Sequence, residues 1–115
     1  MIAAFALALA LGTPVPTAPP KLCGPSRVAL IRERTGIARG VGRVYKSATE
    51  AGYSLVAFGA GEGGVDALFH RESGRWCLLA KGGGMMPASL LVSQGVPPAT
   101  ARRLSRAVNG AAEGG

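Results

Sequence analysis

The sequence predicts an α+β domain in which an N-terminal amphipathic helix packs on a three-stranded antiparallel meander, followed by a C-terminal helical hairpin. Three patterns predict it. Apolar residues recur with a helical period between Pro25 and Ala51; three short β-rich runs separated by glycine-containing turns lie between Tyr53 and Lys81; two short helical segments flank Gly95. The chain has 115 residues, 48% of them apolar and only 5% aromatic, with 18 glycines. That composition is globular but poor in large core-filling side chains, and it supports one modest core.

The first helix opens at Gly24-Pro25-Ser26, because proline at the start of a helix gives up no needed hydrogen bond. On a 3.6-residue period Leu30, Ile37, Val41, Val44, Ala48 and Ala51 share one face, and Arg32, Arg39, Arg43 and Lys46 share the opposite face. Gly52 is the expected stop, with a break at Gly36 as the alternative. The strand-like runs are Tyr53 to Phe58, Val65 to His70 and Arg75 to Lys81. A turn over Arg71–Gly74 places Phe69 opposite Trp76 and Leu68 opposite Cys77, so that Val65, Ala67, Phe69, Trp76, Leu78 and Ala80 share the face turned to the helix. Gly82-Gly83-Gly84 then forms a loop. Pro87 to Ser93 reads as a short helix ended by Gly95, and Pro97-Pro98 opens a final helix with Ala101, Leu104 and Val108 inward.

Residues 1–12 form an unbroken apolar run, too short for the roughly 20 residues a bilayer span needs but the length of a signal-peptide core. Ala10 and Gly12 fit the small-residue cleavage pattern, with cleavage as late as residue 18 the second choice. Residues 13–22 are a proline-rich spacer, 23–110 the single domain, and 111–115 a flexible tail. An exported chain meets an oxidising compartment, and Cys23 and Cys77 are its only cysteines. The expectation is therefore a secreted or periplasmic domain stapled by Cys23–Cys77, a crosslink worth roughly 4 kcal/mol by loop closure.

Thirteen Lys and Arg against six Asp and Glu give a net charge of +7. Such a balance favours an anionic partner: a membrane surface, a polysaccharide or an acidic protein. Arg32, Arg39, Arg43 and Lys46 are the candidate contacts. Catalysis has little footing, since one histidine, two cysteines expected to be bridged and a few scattered acids make no nucleophile–base pair or paired-carboxylate spacing. No metal or cofactor site is expected, and the function expected is non-enzymatic binding. His70 and Asp66 share a strand phase and read as a polar surface pair, while Trp76 reads as packing against the disulfide.

Two motifs remain. Gly59-Ala60-Gly61-Glu62-Gly63-Gly64 satisfies the dinucleotide fingerprint, but the helix, parallel strand and acid that complete such a site do not follow it, and a hairpin loop is the expectation. Residues 87–109 contain LLVSQGVPPATARRLSRAVN, with a glycine at the turn, Val96 after it, and Ala101 and Leu104 at inward positions. This segment resembles the helix-turn-helix of bacterial DNA-binding regulators. The resemblance covers about a fifth of the chain and implies an alternative function, DNA binding, with Thr100, Arg102, Arg103 and Arg106 meeting the nucleic acid.

Overall fold

A computed structural model describes residues 21–110 apart from Glu62. The expected leader 1–12, most of the spacer and the tail 111–115 lie outside these residues. The elements run β1 (Cys23–Gly24), α1 (Arg27–Thr35), β2 (Arg43–Glu50), β3 (Tyr53–Ala60), β4 (Gly63–Glu72), β5 (Arg75–Gly82), α2 (Ala88–Ser93) and α3 (Pro98–Asn109). The strands form one antiparallel sheet in the order β1-β5-β4-β3-β2.

This corrects the expected architecture. The long helix on a three-stranded meander does not form: the sheet has five strands, and two of the three helices are C-terminal. Helix α1 starts where expected, with the Ser26 hydroxyl accepting from the Ala29 N–H at 3.2 Å. It ends at Gly36, whose φ of 80° is left-handed and whose N–H bonds the Arg32 carbonyl at 2.7 Å. Beyond it the residues that matched a helical period occupy strand β2. Val44, Tyr45 and Thr49 favour extended backbone, and β3 offers a neighbour with which seven of the eight β2 residues stand in register. Val41 and Val44, expected on a buried helix face, are 48% and 38% exposed.

Gly42 makes the approach to β2 possible. Its φ is 82°, and a Cβ there would stand 2.7 Å from the Gly59 carbonyl oxygen and 2.9 Å from the Phe58 ring. Only a residue without a side chain fits both the backbone and the space.

The β4–β5 turn is shorter than expected. Ser73 and Gly74 alone connect Glu72 to Arg75, so His70, not Leu68, faces Cys77, and Phe69 faces Leu78. A shift of two residues preserves the faces: Val65, Ala67, Phe69, Trp76 and Leu78 still point to the same side. Ala80 does not, because a bulge between the Leu68 and Phe69 pairings moves it opposite Leu68.

Both faces of the sheet are covered. On one, Leu30 and Ile31 of α1 join Val56, Phe58, Ala67, Phe69 and Leu78. On the other, Leu91, Val96, Ala101, Leu104 and Val108 of the helical pair join Leu55, Leu68 and Met86. Each buried phenylalanine or leucine contributes about 1.5–3 kcal/mol by leaving water.

The disulfide joins the first strand to the fifth. Cys23 arrives on β1 directly opposite Cys77, Cα to Cα 4.0 Å, and the Leu22 carbonyl accepts from the Leu78 N–H at 2.8 Å beside it. The expected Cys23–Cys77 pairing is present, and the leading segment reaches Cys77 as a sheet edge.

Two stability measurements check these assignments. Replacing both cysteines with alanine is expected to cost about 4 kcal/mol in urea unfolding, the loop-closure value for a separation of 54 residues. Gly42→Ala is expected to cost about 1–3 kcal/mol and more than Gly40→Ala, since Gly40 shares the positive φ but has open space around it.

Candidate functional site

Strand β2 closes the sheet at the edge away from β1, and its first five residues are exposed. Val44 pairs with Phe58, and Lys46, not Tyr45, pairs with Ala57, so Tyr45 is the extra residue of a bulge. Arg43 and Lys46 therefore stand on the side of the sheet that α3 partly covers, while Val44 and Ser47 stand on the α1 side. The Tyr45 ring lies over Gly59, where a Cβ would meet it at 2.1 Å, and the Arg43 guanidinium sits 5.1 Å from the ring centre. Arg39 is exposed in the preceding loop. Among the described residues Arg39, Arg43 and Lys46 pair with no carboxylate.

Arg32 differs from those three. Its guanidinium donates to the carbonyls of Ala38 and Val41 and lies 5.1 Å from the centre of the Phe58 ring. It holds the α1–β2 connection, a duty that a helical-wheel reading of positions 32, 39, 43 and 46 conceals. The four cations thus come from a helix, a loop and a strand.

The residues of the helix-turn-helix alternative are divided as well. Thr100 is 4% exposed, and Arg103 forms an ion pair with Glu50 of β2. That pairing holds the Glu50 carboxyl below and the Arg103 guanidinium above their ordinary values, the shared hydrogen bond being the largest cause of each. Arg102 and Arg106 are exposed on α3. The N-terminal half of α3 packs through Thr100 and Ala101, and this helix supplies buried residues along its length.

The Gly59–Gly64 segment is a hairpin connection between antiparallel β3 and β4, in which Ala60 faces Gly63. A dinucleotide unit requires a helix there. His70 stacks on Tyr53, ring centres 4.6 Å apart, and its Nδ1 lies 3.2 Å from Glu72, which also accepts from Lys21 at 2.8 Å. These contacts, with the Lys21 hydrogen bond first, hold the Glu72 carboxyl below its ordinary range. Across the strands Tyr53, His70, Cys77 and Cys23 form one row. The expected pairing of His70 with Asp66 is replaced by His70 with Glu72.

Asp66 is buried instead, and its Oδ2 accepts the Met86 N–H at 3.3 Å. The Met86 carbonyl in turn accepts from Ser105 Oγ at 3.3 Å and Asn109 Nδ2 at 3.2 Å. The cluster fastens the loop after β5 to α3. Burial raises the Asp66 carboxyl above its ordinary value, opposed by the Met86 hydrogen bond.

Trp76 lies beside two guanidinium groups, Arg71 at 4.7 Å and Arg27 at 5.5 Å from the ring centre. Arg27 also donates to the buried Ser54 hydroxyl at 2.6 Å. Between this corner and β2 a groove of about 320 Å³ opens on the α1 side of the sheet. Sequence spacing gave no sign of it, because its two walls are brought together only by the strand that the helical reading missed. Among the described residues no group of three or more His, Cys, Asp or Glu could hold a metal. No family model, curated protein or solved structure matched the chain.

Asp66 yields a pH-dependent expectation. With its folded value raised above 3.8, the folded chain binds the proton more tightly than the unfolded chain, so its contribution to stability falls as pH rises through that interval. Asp66→Asn keeps an acceptor for Met86 and is expected to remove this slope from urea midpoints measured between pH 3.5 and 7, leaving neutral-pH stability equal or higher. Asp66→Ala strands the Met86 N–H and is expected to cost about 1–3 kcal/mol.

Proposed function

We propose that this chain is an exported, non-enzymatic binding domain that engages an anionic macromolecular surface through Arg39, Arg43 and Lys46. The observation that carries the reading is the edge of the sheet at β2. Three cations lie within eight residues, two of them on one strand on the same side of the sheet, exposed and without an acidic partner among the described residues. An overall charge of +7 adds a long-range attraction. Arg32, committed to the carbonyls of the α1–β2 connection, is not part of the contact.

Export is supported by the disulfide. The Cys23–Cys77 bridge is compatible with a secreted or periplasmic domain, where structural disulfides persist. Among the described residues no helix is long and apolar enough to cross a membrane.

Binding to a sulfated polysaccharide or to anionic vesicles, measured across a salt series, tests the reading. Affinity is expected to fall steeply with salt, because exposed charges are screened over about 8–10 Å at physiological ionic strength. Reversing Arg43 and Lys46 to Glu is expected to abolish it with the urea midpoint little changed. Duplex DNA serves as the comparison. Loss of duplex binding on Arg102→Ala and Arg106→Ala, with Arg43 and Lys46 without effect, would move the site to α3.

A further inference from the structure

The groove between α1 and β2 is lined by Arg27 and Val28 of α1, Val44 and Ser47 of β2, Val56 of β3 and Trp76 of β5. Its shape follows from the Tyr45 bulge. Residues 44 and 47 would face opposite sides of a regular strand; here Val44 pairs with Phe58 and Ser47 with Val56, and both partners belong to the α1 side. Helix α1 packs on this face, and the gap between it and the edge strand stays open. At about 320 Å³ it stands at the small end of ligand pockets.

The lining combines apolar side chains with hydroxyls and a single charge. Val28, Val44, Val56 and the Trp76 indole are apolar, Ser26 and Ser47 are hydroxyl residues, and Arg27 is the sole charged residue, with no carboxylate among the lining residues. One of the five Arg27 N–H donors goes to Ser54 Oγ, and the guanidinium is aligned over the indole. A guanidinium held over an indole and beside valine side chains matches a single planar anion attached to an apolar body. A polyanion would carry charge into the valine-lined part without a partner, and a cation would meet Arg27.

We propose that the groove binds a small amphipathic carboxylate, its carboxylate on Arg27 and its hydrocarbon or aromatic body against Val28, Val44, Val56 and Trp76. This site is separate from the Arg39, Arg43 and Lys46 edge and does not rest on the anionic-surface reading. The groove offers one guanidinium beside valines and an indole; the edge offers several cations along a strand and its preceding loop.

Trp76 is the only tryptophan of the chain, so its emission reports on the site directly. The full chain is titrated with hexanoate, hexanamide and acetate, following Trp76 fluorescence with calorimetry alongside. Hexanoate is expected to saturate at millimolar concentrations, hexanamide to bind at least tenfold more weakly, and acetate to give no saturable signal. Arg27→Gln is expected to weaken hexanoate at least tenfold and to bring it level with hexanamide. Ser47→Phe, at an exposed position of the edge strand, is expected to fill the groove and abolish the response while the far-ultraviolet dichroism stays unchanged. The Arg43→Glu and Lys46→Glu chain is expected to bind hexanoate as the unaltered chain does. The proposal is overturned by the absence of saturable hexanoate binding, by equal binding of acid and amide, or by a folded Ser47→Phe chain that still binds.

Discussion

Strands β3 and β4 are buried on both faces, and the rest of the structure is arranged around that constraint. Leu55, Val56 and Phe58 on one strand and Ala67, Leu68 and Phe69 on the next are each no more than 1% exposed. Successive residues of a strand point to opposite sides, so neither side of this pair can face water. One set requires α1, and the other requires α2 and α3. The flanking strands β2 and β5 are under less demand, which is why β2 can carry an exposed basic edge.

Each cover needs its own fastening, because a chain with 5% aromatic residues builds thin layers. Helix α1 is bracketed by the disulfide through β1 on one side and by Arg32 and the Gly42 approach on the other. The helical pair is fastened by the Asp66–Met86–Ser105–Asn109 cluster and by Glu50–Arg103. The two fastenings respond differently to acid. The Glu50 contribution is complete above the ordinary carboxylate range and is lost as pH falls through its lowered value, whereas the charge cost at Asp66 is relieved on acidification.

What the sequence reveals of this fold follows from how local its signals are. The strands over 53–60, 63–72 and 75–82 are legible because alternation and turn residues are encoded within a few positions of each other. The disulfide is legible by elimination, with two cysteines available. Strand β2 is hidden because Leu30, Ile37, Val41, Val44 and Ala48 satisfy a helical period, while the decisive facts are three glycines with positive φ, at 36, 40 and 42, and an available neighbour in β3. The basic residues were visible as a group, but the separation of Arg32 from Arg39, Arg43 and Lys46 depends on which element each occupies. The Arg27 groove is a tertiary object. It needs a bulge, a missing stretch of helix and an indole from a strand three places across the sheet, none of which has a spacing to read.

The cations of β2 also have a physical duty that precedes any partner. An exposed edge strand offers unpaired N–H and C=O groups to any other strand, and lysine, arginine and bulges are the usual obstacles to such pairing. Arg43, Lys46 and the Tyr45 bulge supply all three on the eight-residue edge of this sheet. Removing the charges with alanine would therefore alter two properties together, exposing the edge to self-association while weakening an anionic contact. Reversal to glutamate keeps the edge charged and changes only the sign, so like-charged chains still repel and a lost partner is read without aggregation. Protection of the edge requires charge of either sign, whereas recognition of an anionic surface requires positive charge; the two roles separate on that difference alone.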